Sequence, residues 1–164
     1  MERGWGIKHL REVMATPDQV LDRFGRKMLN LYLLFSLAEW KDEKDTFTAL
    51  QYCVDHDLAH AFVLGEAVIH GKGTAYLSLA IEYHSLFGLN ERRTHSTLGP
   101  TPLHLAVTNN DYETVRALLQ AGADPTMKAL TLDQLAKMPL DLTEIKTPMQ
   151  LAVTGEMLAL FAYC

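Results

Sequence analysis

The residues whose types and spacing could support metal binding or catalysis lie around His56 and His60, which are four positions apart. On a helix this spacing places two imidazoles on one face, where they bind zinc if two further ligands come from elsewhere. Cys53, Asp55 and Asp57 lie nearby, but no residues with recognisable metal-ligand spacing complete the site. We therefore predict no bound metal, with Cys53 packed inside and both histidines at the surface.

Two other patterns that could support catalysis are incomplete. A nucleophilic Cys53 needs a thiol pKa lowered by a basic neighbour or a helix N-terminus, and the pattern around it favours a packed structural thiol. The segment Gly65–Thr74 superficially resembles a phosphate-binding loop, yet five residues separate Gly65 from Gly71 and a glycine follows Lys72. A phosphate-binding loop requires about four residues between its glycines and a Ser or Thr after the lysine. The sequence thus predicts no catalytic residue and no cofactor, and we do not expect an enzyme.

Composition restricts the class of protein further. The 164 residues are 48% hydrophobic and 21% charged, which is typical of a folded globular chain. The net charge of −5 and the lack of a basic cluster disfavour nucleic-acid binding, and the pair Arg92–Arg93 is interpreted as part of a solvated loop. Two cysteines without a pairing pattern favour a reducing compartment, and no apolar stretch approaches the roughly 20 residues that span a bilayer. We expect a cytoplasmic protein without membrane insertion.

The elements that would position functional side chains are clearest in residues 99–126. Thr101 can cap a short helix that begins with a proline, where the missing N–H is harmless. Asn110 lies where this helix must end, and asparagine tolerates the left-handed conformation of a C-terminal turn. Apolar residues at helical spacing predict a second helix over Tyr112–Gln120, ended by Gly122. The segment is predicted to be a helix–turn–helix unit whose short helices need packing partners.

Residues 99–126 resemble an ankyrin repeat. Thr101–His104 reproduces the Thr-Pro-Leu-His signature of the family, and Leu118–Leu119 and Gly122–Asp124 fall at the family's spacing. Asn110 stands where the family usually has glycine. The resemblance implies a structural signature histidine, whose ring nitrogens bond to nearby backbone and hydroxyl groups.

Weaker copies of the unit lie elsewhere in the chain. Thr147–Thr154 repeats its beginning with Gln150 in place of the histidine, and Thr48–Val54 fits the same frame with Cys53 at a small-residue position. Ala75–Ile81 is the loosest copy. The predicted fold class is therefore all-α, an ankyrin-repeat solenoid of about three to four helix–turn–helix units, some of them shortened.

The segments outside these copies complete the predicted organisation. Residues 1–45 do not fit the repeat and are predicted to form an N-terminal helical cap that begins with a capping box at Thr16. Residues 46–164 carry the degenerate repeats. An insertion at about 127–145 is expected to hold a short helix, because Thr131–Gln134 has the form of a capping box. The apolar C-terminus either packs against the preceding unit or leads into a longer chain.

The resemblance implies a protein that binds another protein, since stacked repeats offer a curved surface without a deep pocket. In the family, partners contact turn tips and the exposed positions of inner helices. Carried over to this chain, the predicted partner-binding residues are Lys44, Asp45, Phe47, Asp55, His56, Lys72, Glu82, Tyr83, Thr97, Leu98, Thr108 and Asn109. The alternative is a regulatory or targeting fragment of a larger protein. Unequal repeats with a foreign cap are also typical of ankyrin effector proteins that bacteria or viruses deliver into the host cytosol.

Overall fold

The computed structural model describes residues 43–93 and 97–162, together with Glu12. Within these ranges the regular structure is helical, and the β-type pairing is limited to one isolated bridge between Ala129 and Lys146. The all-α fold class is therefore confirmed. The helical cap predicted to begin at Thr16 lies outside the described residues. None of the helices described is long and apolar enough to cross a bilayer.

The helices are short, and each depends on its neighbours for stability. In the described ranges they are α1 Glu43–Asp55, α2 Val63–His70, α3 Ala75–Glu82, α4 His84–Phe87, α5 Pro102–Thr108, α6 Tyr112–Gln120, α7 Leu132–Leu135, α8 Pro148–Leu151 and α9 Gly155–Leu160. A turn of 3₁₀-helix spans Leu142–Glu144. Isolated helices under about 12 residues are marginal in water. Packing of their apolar faces must therefore supply most of the stability.

The helices pack in two rows. In the inner row α5 lies between α2 and α8, whereas in the outer row α1 packs against α3 and α6 packs against α9. The rows are joined where α2 packs against α3 and α5 packs against α6. This is the stacked arrangement of a helical repeat protein, in which each unit buries its apolar face against the next.

The structure corrects the predicted frame of the first two units. Ala75–Ile81 was expected to begin the second unit, but it lies in α3, which packs against α1 and α2, while α2 takes the inner position beside α5. Thr48–Val54 likewise lies in the outer-row helix α1. Ala80 misled the alignment because a small buried residue is needed wherever helices approach closely in either row. It is as fully buried as Ala67, the α2 residue that corresponds to the repeat's alanine.

The residues of α2 explain why its inner position could not be predicted from the sequence. Gly65 stands in α2 where α5 has His104, and a β-carbon placed at Gly65 would lie 3.7 Å from Leu105 Cδ1. The helix therefore lacks both the Thr-Pro start and the signature histidine, although its apolar residues fill the inner position. Leu64 of α2 and Leu103 of α5 are fully buried.

One apolar core runs through both rows. It includes the fully buried side chains of Leu50 in α1, Leu64 in α2, Leu103 in α5, Leu118 in α6 and Met157 in α9. Burying a side chain of this size contributes roughly 1.5–3 kcal/mol relative to leaving it exposed. The core thus extends from the first described helix to the last.

The local structure predicted for residues 99–126 is confirmed. The inner helix α5 follows the N-cap Thr101 and begins with proline. Asn110 adopts a left-handed conformation with φ 52°, and Gly122 does so with φ 93° after α6. The side chain of Asp111 caps α6, since Oδ1 accepts from the Thr114 amide at 3.3 Å and Oδ2 accepts from the Thr114 hydroxyl at 2.7 Å.

The last unit packs onto the unit before it. Met157 is fully buried and Phe161 is nearly so. The Tyr112 hydroxyl at the start of α6 lies 2.9 Å from Oγ1 of Thr154, the N-cap of α9. As far as it is described, the apolar C-terminal segment therefore packs against the preceding unit.

Candidate protein-binding surface

The turns of the stack lie on two opposite edges. The tip edge comprises the start of α1 and the turns that lead from inner to outer helices, with the last residue of α5, residues 43–45, 71–74, 108–111 and 152–154. A bond of 3.0 Å from the Ala75 amide to Glu43 Oε1 joins two of its segments, and the pair formed by Tyr112 and Thr154 joins two others. The link edge comprises the connections that lead to the next helix or unit, with the last residues of α1 and α3, residues 55–62, 82–93, 97–101 and 121–147.

Hydrogen bonds between distant segments hold the link edge together. The His60 amide donates to the Leu86 carbonyl at 2.6 Å, and the Leu130 amide donates to the Leu98 carbonyl at 2.8 Å. The Asp124 amide donates to Asn90 Oδ1 at 2.8 Å. These bonds join connections that belong to successive units, so the link edge is one continuous surface.

Five of the predicted partner-binding residues lie on the tip edge. Lys44, Lys72, Thr108 and Asn109 are exposed, whereas Asp45 is half-buried. The Thr108 hydroxyl donates to the His104 carbonyl at 2.8 Å, as a residue in the last turn of a helix can. The tip edge therefore brings together predicted residues from α1, the α2–α3 turn and the α5–α6 turn.

The remaining predicted residues lie elsewhere. Phe47 is half-buried in α1, where it packs against the core. The link edge carries Asp55, His56, Glu82, Tyr83, Thr97 and Leu98. Among these, Tyr83 is 37% exposed, and the His56 ring packs 4.1 Å from the Tyr52 ring. The predicted set is thus divided between two edges and does not form one surface.

Tight backbone geometry fixes the turns of the tip edge. In the α5–α6 turn the Asn110 amide donates to the Val107 carbonyl and the Asp111 amide donates to the Ala106 carbonyl, both at 3.0 Å. In the α2–α3 turn a β-carbon at Gly71 would lie 2.5 Å from a ring carbon of Tyr76, so only glycine fits there. These turns present polar side chains on a backbone whose hydrogen bonds are already satisfied.

His104 is a structural residue at the centre of α5. Its ring is 1% exposed, with Nδ1 2.7 Å from Thr101 Oγ1 and 3.3 Å from the Thr101 amide nitrogen. Nε2 lies 3.1 Å from the Lys146 carbonyl oxygen. A carbonyl can only accept, so Nε2 carries the hydrogen and Nδ1 accepts from the Thr101 amide. The backbone and hydroxyl bonds implied by the family resemblance are both present.

Burial determines the charge state of His104. Desolvation lowers the pKa of the imidazole from 6.5 to about 4, against the raising effect of the bond to the Lys146 carbonyl. The ring is therefore neutral at pH 7, and both of its nitrogens are engaged. A general base needs an accessible nitrogen within reach of a substrate proton, so this histidine is placed for stability.

The residues around Cys53 have similarly inert chemistry. Cys53 is fully buried, and desolvation raises the pKa of its thiol to about 12, which leaves it protonated at neutral pH. His60 is half-buried, and burial lowers its pKa. Among the residues described, no group of three or more His, Cys, Asp and Glu side chains is placed to bind a metal ion.

Arg92 and Arg93 were interpreted as part of a solvated loop, and this prediction was wrong. Arg92 Nη1 donates to the carbonyl of Gly99 at 2.7 Å and to that of Lys128 at 3.0 Å. Arg93 Nε pairs with Glu66 Oε1 of α2 at 2.5 Å. The two side chains therefore connect α2 with the segments before α5 and after α6. Their acceptors are distant in sequence, and carbonyl acceptors leave no signal in residue types.

An open groove of about 710 Å³ lies between α6 and α9. Its apolar lining includes Leu119, Ala123, Pro125, Ala159 and Leu160. It lies where α9, with six residues, is shorter than α6, with nine. Residue types alone do not predict this groove, because it depends on how α6 and α9 of two successive units pack together.

Comparison with known proteins gives one match. Residues 98–129 match the ankyrin repeat family. No curated protein and no solved structure matches the chain. The matched residues contain α5, α6 and the turn after them, which is the part of the stack that best fits the regular helix–turn–helix unit.

Proposed function

Because residues 98–129 form an ankyrin repeat, a unit that generally mediates protein–protein interaction, we propose that this chain is a non-catalytic binding module. Its partner is a protein that contacts the tip edge. The proposed contacts there are Lys44, Asp45, Lys72, Thr108 and Asn109. The module supplies a rigid, polar surface and no chemical step.

The geometry of the α5–α6 turn is the observation that carries this proposal. Asn110 is held in a left-handed conformation with φ 52°, and Asp111 is buried as the cap of α6. Thr108 and Asn109 are therefore fixed in position while their side chains remain at the surface. A preorganised surface loses little conformational entropy on binding, which favours affinity.

The predicted residues on the link edge form a second, separate part of the proposal. Asp55, His56, Glu82, Tyr83, Thr97 and Leu98 would meet a partner only if it covered that edge. Tyr83, as an exposed aromatic side chain beside acidic residues, has the character of an interface anchor. Phe47 would take part indirectly, because its packing positions α1.

The setting of the module is also a proposal. The thiol of Cys53 is free and buried, as is typical of proteins from reducing compartments. We therefore place its action in the cytosol. As an alternative, the same module would act as the regulatory or targeting part of a larger protein, including an effector delivered into a host cell.

A pull-down with mass-spectrometric identification tests the proposal. Lys72→Glu/Asn109→Ala changes the tip edge, and Glu82→Ala/Tyr83→Ala is a matched control of exposed residues on the link edge. We expect the tip variant to lose a partner that the wild type and the control retain, while circular dichroism shows equal helicity in all three. Loss in the control alone would move the interface to the link edge. Equal capture by all three proteins would contradict both assignments.

A further inference from the structure

The insertion between α6 and α8 exposes two large apolar side chains. Met138 is 82% exposed and Leu142 is 59% exposed, and the exposed Pro139 lies between them in the chain. Single exposed apolar residues are normal on protein surfaces and need no explanation. Here two lie four positions apart in one loop. The α2–α3 and α5–α6 turns, in contrast, expose lysine, glycine and asparagine.

The base of this loop is firmly attached to the stack. The Ala129 amide donates to the Lys146 carbonyl at 2.9 Å, and the Lys146 amide donates to the Ala129 carbonyl at 3.0 Å. Ala129 and Leu130 are each 1% exposed. The same Lys146 carbonyl accepts from His104 Nε2 at 3.1 Å. The two ends of the insertion are thus fixed to each other and to α5.

Hydrogen bonds within the loop brace its tip. Gln134 Nε2 donates to Glu144 Oε2 at 2.9 Å, which connects α7 to the 3₁₀ turn across the loop. Asp141 Oδ1 accepts from the Thr143 amide at 2.9 Å and from the Thr143 hydroxyl at 2.6 Å. Polar groups of the loop thus pair with one another, while Met138 and Leu142 face solvent. Such an arrangement reduces the entropy lost when the tip is bound.

The charges around the tip select the kind of surface that would receive it. Asp133, Asp141 and Glu144 are exposed, and hydrogen bonds from Thr143 lower the pKa of Asp141, so that it stays ionised at neutral pH. The basic side chains of the loop are Lys137 and, at its base, Lys146. With three carboxylates against two lysines, residues 131–146 have a net charge of −1, which disfavours binding to anionic lipid headgroups. This charge suits a protein surface that carries Lys or Arg.

We propose that residues 131–146 form a docking loop, whose Met138 and Leu142 side chains enter an apolar pocket with a Lys- or Arg-rich rim on a partner protein. This inference rests on the proposed function, since it adds a second contact for a protein partner. It differs from the first contact in place and chemistry. The loop belongs to the link edge, where the Leu130 amide bonds to the Leu98 carbonyl, and its contact is apolar.

Site-specific photocrosslinking tests the docking loop with the full chain as the probe. A benzoylphenylalanine is placed at position 138, at position 109 on the tip edge, and at position 153, an apolar residue that is 79% exposed in the turn between α8 and α9, outside the docking loop and not among the contacts proposed on the tip edge. We expect position 138 to give one principal protein adduct that position 153 does not give. The crosslinked peptide should line an apolar pocket bordered by Lys or Arg. Adding Leu142→Ser should reduce the yield roughly tenfold, because it removes an apolar side chain that would be buried in the partner's pocket.

Matched changes separate the apolar contact from the charged one. Asp133→Asn/Glu144→Gln keeps the shape of the loop and an acceptor for Gln134. The change should lower the yield of the adduct and make that yield less dependent on salt concentration. Adducts that are the same at positions 138 and 153, or that form with lipid or a second copy of this chain, would overturn the docking loop. An adduct insensitive to Leu142→Ser would do so as well. If position 138 gives the expected adduct and position 109 gives none, the docking loop stands and the tip-edge function fails.

Discussion

The units α5–α6 and α8–α9 begin alike and differ in how far their inner helices extend. Both inner helices follow a threonine N-cap and start with proline, and in both the third helical residue bonds back to the cap. Yet α5 continues for seven residues, six of them buried. The helix α8 ends after four, and only Pro148 is buried. Met149, beside it, is 49% exposed.

The neighbours of the two helices account for this difference. The helix α5 lies between α2 and α8, whereas within the described residues α8 packs mainly against α5. A capping box starts a helix and satisfies its first amides, but a short helix extends only as far as its residues are stabilised by packing against neighbours. Identical start signals therefore give helices of different length, because the length depends on how many faces are covered.

The largest expected effect comes from core truncation in the two units. Leu103→Ala removes a fully buried side chain of α5 and should lower the free energy of unfolding by about 2–5 kcal/mol. Leu158→Ala in α9 removes a side chain that is 44% exposed and should cost less than about 1 kcal/mol. Urea denaturation followed by circular dichroism measures both. Equal losses would mean that the two units are equally packed, contrary to the structure.

The next largest effect is a dependence of stability on pH, which His104 produces in α5 and which α8 lacks. The pKa of His104 is lowered from 6.5 to about 4 in the folded state, so the folded state favours the neutral ring. The contribution of the neutral ring to the free energy of unfolding is complete above pH 6.5. It is lost as the pH falls towards 4, a change of about 2–3 kcal/mol. Gln150, at the same position of α8, does not titrate.

Replacing His104 with the residue of the other unit tests this. His104→Gln keeps an acceptor for the Thr101 amide, as Gln150 does for the Thr147 amide at 2.9 Å. The variant should be less stable than the wild type at pH 7, because it lacks the ring's bond to the Lys146 carbonyl. The difference in stability between the two proteins should be smaller at pH 4.5. Urea midpoints at the two pH values give the comparison. A constant gap would show that the histidine does not lose its contribution on protonation.

A smaller effect is expected in the turns between inner and outer helices. Asn110 has φ 52°, so Asn110→Val should cost about 1–2 kcal/mol through left-handed strain, while Asn110→Gly should change stability by only a few tenths. The α8–α9 turn has no such residue, since Ala152 is extended with φ −65°. Val153→Ala should therefore be nearly neutral. Thermal melts of the three variants rank these effects, and equal cost for valine and glycine at position 110 would rule out strain.

The smallest effect concerns the exposed tip of the insertion. Met138→Ser/Leu142→Ser should change the free energy of unfolding by no more than about 0.5 kcal/mol, because surface substitutions seldom do more. Chemical denaturation at neutral pH measures this change. A loss of several kcal/mol would mean that these side chains pack inside the protein, and the docking loop would then have no exposed contact to offer.

The sequence predicted local structure well where residue types act on their own backbone. Thr101, Asn110 and Gly122 each mark a boundary of α5 or α6 that the structure confirms. Such signals depend on capping and on left-handed conformations, which are properties of single residues and their immediate neighbours. The short helix of the insertion was predicted in the same way, from the capping box at Thr131.

Features that depend on distant partners were predicted poorly. The role of α2 as an inner helix was missed because Gly65 replaces the signature histidine, and the packing of α2 against α5 is what identifies its place. The bonds of Arg92 were missed because its acceptors are carbonyls of other segments. The same error accounts for part of the division of the predicted contacts between two edges, since Ala75–Ile81 is predicted to be an inner helix and Glu82 and Tyr83 follow it.

The Lys146 carbonyl joins two parts of the molecule that the chain separates. It accepts from His104 Nε2 inside α5 and from the Ala129 amide at the base of the insertion. The loop and the repeat therefore share one anchoring atom, and the base of the loop opens only together with its attachment to α5. Hydrogen exchange at the Ala129 amide should follow the cooperative opening of that unit and not local fraying of the loop. A pull applied at Met138 would be transmitted through this oxygen to the interior of the stack.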